Sequence, residues 1–405
     1  MDESAIGALC TQLSAGLPSP EPGCRLIVTI PAKDEAGFIR RSLSALHGQT
    51  AIGGGVLDFS CFEVFLLANN CTDDTADVAR DFAVRHPRLR LHVIPVHFSA
   101  EHAGVGLARR VMMDMASTRL GAGGIIAMTD ADTLADPYWI AATLRAFDRG
   151  ARAVGGRIVV PASDRRGYRK THLQDVTYRS LVSLLESVVD PDPGDPWPRH
   201  FQHYGPSLAV TKEMYMACGG MPPIRSIEDA AFAWALERID VTFVHDLAVR
   251  VYTSDRDSDR IEGVAFSESL REWTRMSEAD RHAVVFGLQH CVDLCKWKVA
   301  LRHAFAERRV SGFPALGKLC ELLEIELLEL QSWVTAAPTF GSLYLDVRQR
   351  VERCPSFSDT SYSRAIADLR RFTSGTRGSL LSSTHPCGSG RSVPLESGSS
   401  YSAVG

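Results

Sequence analysis

The chain contains no CxxC cysteine pair, no basic excess, no internal repeat and no apolar run approaching the roughly 20 residues of a membrane span. Its ten cysteines stand singly, the closest two being Cys291 and Cys295, so reduced and mostly buried thiols are expected. A formal net charge of -4 over 405 residues excludes the electrostatic footprint of a nucleic-acid binder. His200, His203 and His245 lack structural-zinc spacing, which leaves satisfied or solvated histidines as the expectation. The N-terminus opens acidic and has neither the basic flank nor the apolar stretch of a secretory signal, so a cytosolic location is expected.

What is present is an alternation of short apolar runs with helical patterns. Leu26–Ile30 reads as a buried parallel strand closed by Pro31, and Gly37–Leu46 as a helix with Phe38, Ile39, Leu43 and Leu46 on one face. Strands follow at Phe62–Ala68, Leu91–Val96, Ile125–Met128 and Ala153–Val160, with helices between them, which predicts a parallel sheet covered by helices. Residues 1–23, rich in Ser, Pro and Gly, read as a flexible lead-in, and the prolines between Asp190 and Pro198 impose a long loop. After Val251 the pattern turns helical, with Leu316, Leu319, Leu323, Leu327 and Leu330 on one face expected to pack against the body or a partner. From Thr373 the Ser/Gly-rich sequence predicts a disordered tail.

The chemistry-bearing residues gather where strands end. Asp130 and Asp132 follow the strand Ile125–Met128, and two carboxylates one residue apart on a turn can hold a hard divalent cation against diphosphate oxygens. A solvated acidic turn is the competing reading. Asp34 and Glu35 follow the first strand, and Asn69 and Asp73 the second, so polar groups converge on the carboxyl edge of one sheet, where open α/β sheets bind ligands. Thr72 or Asp73 can also cap the following helix. Arg109 and Arg110, on a helix after Gly104 and Gly106, carry guanidinium groups suited to diphosphate oxygens, although a solvated helix face serves equally for Arg110.

The order PAKDE (31–35), NNCTDDT (69–75) and TDADT (129–133) resembles the nucleotide-binding half of glycosyltransferase family 2, and in particular a bacterial subgroup with the NNCTDDT signature. The likeness continues through Tyr204–Val210, Gly219-Gly220, Glu228-Asp229 and Thr253-Ser254-Asp255-Arg256 with Arg260, and spans about Leu26 to Phe266. It implies an α/β, GT-A type nucleotide-diphospho-sugar transferase fold: a mixed, mostly parallel central sheet with helices on both faces, plus a C-terminal helical extension. The boundaries expected are a GT-A domain over 24–265, divided into a nucleotide-sugar half (24–160) and an acceptor half (161–265), an extension over 266–372 and a tail over 373–405.

The activity implied is metal-dependent transfer of a sugar, with inversion, from a nucleotide-diphosphate sugar to the hydroxyl of a sugar, lipid or small-metabolite acceptor. Asp130 and Asp132 would hold Mg2+ or Mn2+, and Asp229 would be the general base. The implied substrate-binding positions are Pro31, Lys33, Glu35, Asn69, Asp73, Arg109, Asp130, Gly205, Ser207, Glu228, Arg256 and Arg260. Many members carry an aspartate at the position of Asn69, so uridine as the donor base stays open here. His203 is the histidine expected nearest an acceptor, and Trp197 could stack on a sugar or cover the core. A lipid acceptor would bring the protein to the inner face of the membrane. A retaining transferase, a nucleotidyltransferase and a nucleotide-sugar-binding scaffold are the alternatives. The loop Pro31–Gly37 has one lysine and is a poor phosphate cradle for the second of these.

Overall fold

The computed structural model describes residues 1–160, 166–253, 284–354 and 359–382. A seven-stranded sheet forms its centre. The strands are β1 (Leu26–Ala32), β2 (Phe62–Asn69), β3 (Leu91–Val96), β4 (Ile125–Met128), β6 (Ala153–Gly155), β8 (Leu208–Thr211) and β9 (Phe243–Val244), in the spatial order β3-β2-β1-β4-β8-β6-β9. β1 pairs in parallel with β2 and β4, and β2 with β3, while β8 runs antiparallel to both β4 and β6. The reversal matters for the site. It brings the start of β8 to the same edge as the ends of β1, β2 and β4.

Both faces of the sheet are covered, which explains why these strands read as continuous apolar runs. Val28, Ile30, Val64, Leu66 and Ala127 face one layer with α2 (Ile39–His47), α3 (Thr75–Arg85) and α5 (Trp139–Asp148). Ile27, Phe65, Leu67, Ile126 and Val210 face the other, packed on α1 (Glu3–Ser14), α4 (Val105–Arg119), α7 (Lys212–Ala217) and α8 (Glu228–Arg238). Glu63 is fully buried in β2, where Arg119 Nε at 2.6 Å, His92 Nε2 at 3.2 Å and the Glu21 amide at 2.9 Å surround its carboxylate. A smaller sheet joins β5 (Leu134–Ala135), β10 (Arg250–Tyr252) and β7 (Arg157–Val159).

The stretch Ala153–Val160 is thus two strands in different sheets. It divides at Gly156, whose amide turns to the Ser207 carbonyl at 2.8 Å.

Two further clusters lie beyond the sheet. One is built by α9 (Leu288–Glu307), α10 (Pro314–Leu323), α11 (Leu327–Ala336) and α12 (Phe340–Glu352) around Leu301, Leu316, Leu319, Leu330 and Leu343. The leucine stripe expected as one face is broken by Glu324, in left-handed conformation, into α10 and α11, and Leu327 is left 41% exposed. The other cluster unites α6 (Arg166–Val189), α9 and α13 (Tyr362–Ser382) around Tyr178, Leu185, Cys291, Ala365 and Leu369, so α6 shares a core with two of the C-terminal helices. The short strands β11 (Val284–Phe286) and β12 (Asp359–Ser361) pair antiparallel beside it.

Two expected boundaries move. The lead-in contains α1, because Asp2 caps it by accepting the Ala5 amide at 2.8 Å and Ile6 and Cys10 bury against α4. α13 continues to Ser382, beyond the expected helix end near Thr373, since Thr373 is buried and its hydroxyl bonds the Leu369 carbonyl at 2.9 Å. The remainder of the expected tail lies outside the described residues. Among those described, nine cysteines are free, with Cys10, Cys291, Cys295 and Cys320 buried and the others partly so. No described helix is long and apolar enough to cross a membrane.

Candidate active site

The loops after β1 and β2 are laced together by their own carboxylates. Asp34, held in left-handed conformation, accepts the Thr72 amide at 2.6 Å, the Thr72 hydroxyl at 3.1 Å and the Asp73 amide at 3.3 Å. Asp73 accepts the Ala36 and Thr75 amides, both at 3.0 Å, as well as the Thr75 hydroxyl, which itself accepts the Glu35 amide at 2.7 Å. Oxygen and sulfur donors of Asp34, Cys71 and Asp73 lie within 4.8 Å of one another. With their oxygens engaged by backbone amides, they form a latch between loops. Asp73, expected at the substrate, thus also has a structural duty, and the amide of the helix residue Thr75 is among those it satisfies. Pro31, Lys33 and Glu35 are half-buried along this edge.

Asn69 ends β2 and is buried, and its carboxamide oxygen has no hydrogen-bond partner among the described residues. The Thr129 hydroxyl, after β4, and Arg109 Nη1, on α4, are also buried without partners among the described residues. Buried polar atoms are normally paired, so these three, gathered at one sheet edge, are candidates to meet ligand atoms. Asn70 differs from its neighbour: its carboxamide clips both backbone groups of Phe98, at 2.8 and 3.0 Å.

Arg109 joins the two halves of the site. Its Nη2 donates to Asp130 Oδ1 at 2.5 Å and its Nε to Glu228 Oε1 at 3.2 Å. Asp130 lies after β4 and Glu228 begins α8, so one buried guanidinium spans the β4 turn and the start of α8. Asp229, next in α8, accepts the Gly205 amide at 2.8 Å through Oδ2 and the Ala230 amide at 2.8 Å through Oδ1. Burial pushes the Asp130 carboxyl above its ordinary value; Arg109 opposes the rise, while Asp132 and Asp229 add to it. Burial likewise raises Glu228, against Arg109 and with Asp229 and Asp130. Negative charge here exceeds what one guanidinium neutralises, the condition in which a carboxyl group holds its proton more tightly. Ile227, just before Glu228, adopts φ 54° and ψ 27°, a left-handed conformation that a β-branched residue takes only where its surroundings impose it.

The remaining expected residues have definite places. Arg110 turns away from the cleft to Asp114 at 2.7 Å, Glu3 at 2.5 Å and the Gly219 and Met221 carbonyls, which makes it structural. Ser207 accepts the Trp139 indole N–H at 2.9 Å and is buried, so its side chain anchors the start of β8. The Thr133 and Thr253 hydroxyls, 3.0 Å apart, tie the β4 turn to the end of β10. Arg256 and Arg260 lie outside the described residues.

His203, expected nearest an acceptor, stacks on Phe243 with centroids 4.8 Å apart and bonds His245 at 3.1 Å. His245 in turn meets Asp195 at 2.7 Å, so the cluster is satisfied from within. Trp197 is 38% exposed. Sequence patterns gave no sign of Arg179 on α6, which is paired to Asp175 beside Phe201; the i,i+4 spacing of Asp175 and Arg179 was the available signal.

A comparison with curated proteins finds no match. Among solved structures, the chain is similar to a mannosyltransferase from Pyrobaculum calidifontis in complex with GDP-Man and Mn2+, at 16% identity over 87% of this chain and 96% of that one, with a TM-score of 0.42. It is also similar to S. aureus TarS 1-349 in complex with UDP-GlcNAc, at 14% identity over 87% of this chain and 92% of that one, TM-score 0.43. GalNAc-T7 with UDP, GalNAc and Mn2+ matches at 13% identity over 83% of this chain and 59% of that one, TM-score 0.43. Residues 27–222, which carry the sheet edge from Pro31 to Ser207, match the family described as Glycosyl transferase family 2. The mixed, mostly parallel sheet covered on both faces is the GT-A arrangement. Residues 27–222 are therefore a glycosyltransferase family 2 domain, and the protein is a transferase enzyme.

Proposed function

We propose that this protein, a member of the bacterial subgroup with the NNCTDDT loop, transfers a sugar with inversion from a nucleotide-diphosphate sugar to an acceptor hydroxyl. The observation that carries the reading is the Arg109 bridge, which sets Asp130 and the Glu228-Asp229 pair on either side of one guanidinium. A donor diphosphate at Asp130 then has its sugar within reach of a base at Asp229. Asp229 accepts the proton of the attacking hydroxyl, and the Gly205 and Ala230 amides hold the carboxylate in place. Asn69 meets the donor base with its unpartnered oxygen, and Pro31, Lys33 and Glu35 edge the same pocket. Arg256 and Arg260 would face the diphosphate.

Asp130 and Asp132 suit a hard divalent cation, Mg2+ or Mn2+. Both offer carboxylate oxygens, and Asp130 Oδ2 makes no hydrogen bond among the described residues. Burial raises Asp130, Asp132 and Asp229 add to the rise, and the negative charge of these neighbours is charge a cation would compensate. Bound there, it would stabilise the negative charge that develops on the leaving diphosphate.

The test is a thermal-shift panel of UDP-, GDP-, dTDP- and CDP-sugars with and without Mn2+, since a ligand of the native state raises the melting temperature. Metal-dependent stabilisation by donors of one base is the expected result and assigns the base read by Asn69. No stabilisation by any donor would overturn the proposal.

A further inference from the structure

The wall beyond Asp229 carries a set of side chains that the scheme above does not use. On α6, Arg179 Nε donates to both oxygens of Asp175, at 2.9 and 3.0 Å, and Asp175 Oδ1 also accepts the Tyr362 hydroxyl of α13 at 2.9 Å. Asp175 is 8% exposed, so its carboxylate is pinned from two helices and holds the guanidinium through the inner nitrogen alone. The terminal nitrogens Nη1 and Nη2 make no hydrogen bond among the described residues, and the side chain is 49% exposed. The guanidinium sits 6.0 Å from the centre of the Phe201 ring.

Phe201 begins a short segment that leads back to the base, for Gly205 at its end donates its amide to Asp229. Tyr204 stands between them. Its hydroxyl makes no hydrogen bond among the described residues and lies within electrostatic reach of both ends: burial raises it, Arg179 opposes, and Asp175 and Asp229 add. The wall therefore runs from a carboxylate acceptor, past a phenol donor, to a guanidinium with its terminal fork open.

A fixed arginine with both terminal nitrogens available matches the two oxygens of a phosphate or carboxylate and is poorly used by a neutral hydroxyl. The setting sharpens the argument. Asp130, Asp132, Glu228 and Asp229 would repel an anionic acceptor, and Arg179, within electrostatic reach of Tyr204, offers a cation to offset them.

We infer that the acceptor carries an anionic group, a phosphate or a carboxylate, which Arg179 and Tyr204 hold while the hydroxyl to be glycosylated lies at Asp229. This rests on Asp229 as the base of the proposed transfer.

The test uses the full chain saturated with Mn2+ and the nucleoside diphosphate that stabilises it, titrated calorimetrically with glucose 6-phosphate, glucuronate and glucose. Both anionic sugars are expected to bind, with glucose about 10- to 100-fold weaker, and the tighter of the two anions identifies phosphate or carboxylate as the natural group. Arg179→Gln should remove the preference for anions and Arg179→Lys should retain part of it, with melting temperatures reporting that both variants fold. Equal binding of glucose, undiminished anion binding by Arg179→Gln, or no binding of either anion would overturn the inference. Failure of every nucleoside diphosphate to bind would instead overturn the donor reading, before any sugar is added.

Discussion

A β-carbon added at Gly205 would stand 2.8 Å from Arg109 Nη2 and 3.4 Å from Asp229 Oδ2. The nearer atom ends a long side chain, yet that side chain is buried and tied to Asp130 and Glu228, so it cannot yield without disturbing both. Gly205→Ala should therefore leave the melting temperature within a few degrees of wild type and lower kcat by at least about tenfold, because sub-ångström errors in catalytic geometry are costly. A wild-type kcat would show that Arg109 relaxes freely. Asp229→Asn should keep donor affinity and reduce turnover roughly 10²- to 10⁴-fold, the usual loss with a general base. Donor binding by calorimetry and single-turnover rates separate the two effects; loss of donor affinity with normal turnover would remove Asp229 from the base role.

At the scale of elements, the extension is fastened to α8 by close contacts. Gly341 donates its amide to Asp240 Oδ1 at 2.6 Å, and a β-carbon there would lie 1.8 Å from the Glu237 carbonyl oxygen. Because that neighbour is backbone, Gly341→Val should force α12 off α8 and cost about 1–3 kcal/mol, the range for overpacking, read as a lowered urea midpoint. An unchanged midpoint would mean the junction is soft.

The same elements show what a sequence can disclose. β3 and β4 begin and end where their apolar runs do, and β1, β2 and α2 differ by two residues or fewer at either end, because a strand buried on both faces and a one-faced helix each leave a periodic trace. The turn with Asp130 and Asp132 was legible as a feature because it sits at the mouth of such a strand, whereas the Glu228-Asp229 pair stood out only through its resemblance to a family motif. Arg109 as a bridge was not. Its partners lie 21 and 119 residues away, and only the antiparallel insertion of β8 beside β4 brings that part of the chain together. The helix α1 hid behind Ser, Gly and Pro, its burial resting on little more than Ile6 and Cys10.

For the whole molecule, proton binding gives stability a direction. Burial holds the His200 imidazole down to about 3, with His245 adding to the depression, so the folded chain binds its proton far later than the unfolded one. Stability from this residue is complete above the ordinary histidine pKa of about 6.5 and is lost as pH falls, at about 1.4 kcal/mol per pH unit for one proton. Glu63 is buried, but hydrogen bonds from His92 and Arg119 outweigh that burial and lower its carboxyl, so its contribution is lost at still lower pH. Asp130 and Glu228, raised in the folded state, oppose this trend in the acid range. The melting temperature should fall from about pH 7 to about pH 5, and His200→Leu should make that fall shallower, the remainder coming from His203, which burial also holds down to about 3. An equally steep profile in the variant would assign the acid sensitivity elsewhere.

The junction of α12 with α8 has one more consequence. The Thr339 hydroxyl bonds the Arg238 carbonyl and Asp240 accepts the Gly341 amide, so the extension grips the last turn of the helix whose first turn holds Glu228 and Asp229. An eleven-residue helix is a rod of about 16 Å, and tilting one end by about 2° moves the other by about 0.5 Å. The extension is thus a handle on the end of α8 that carries Glu228 and Asp229: a shift at Thr339 or Gly341 would be levered onto both carboxylates.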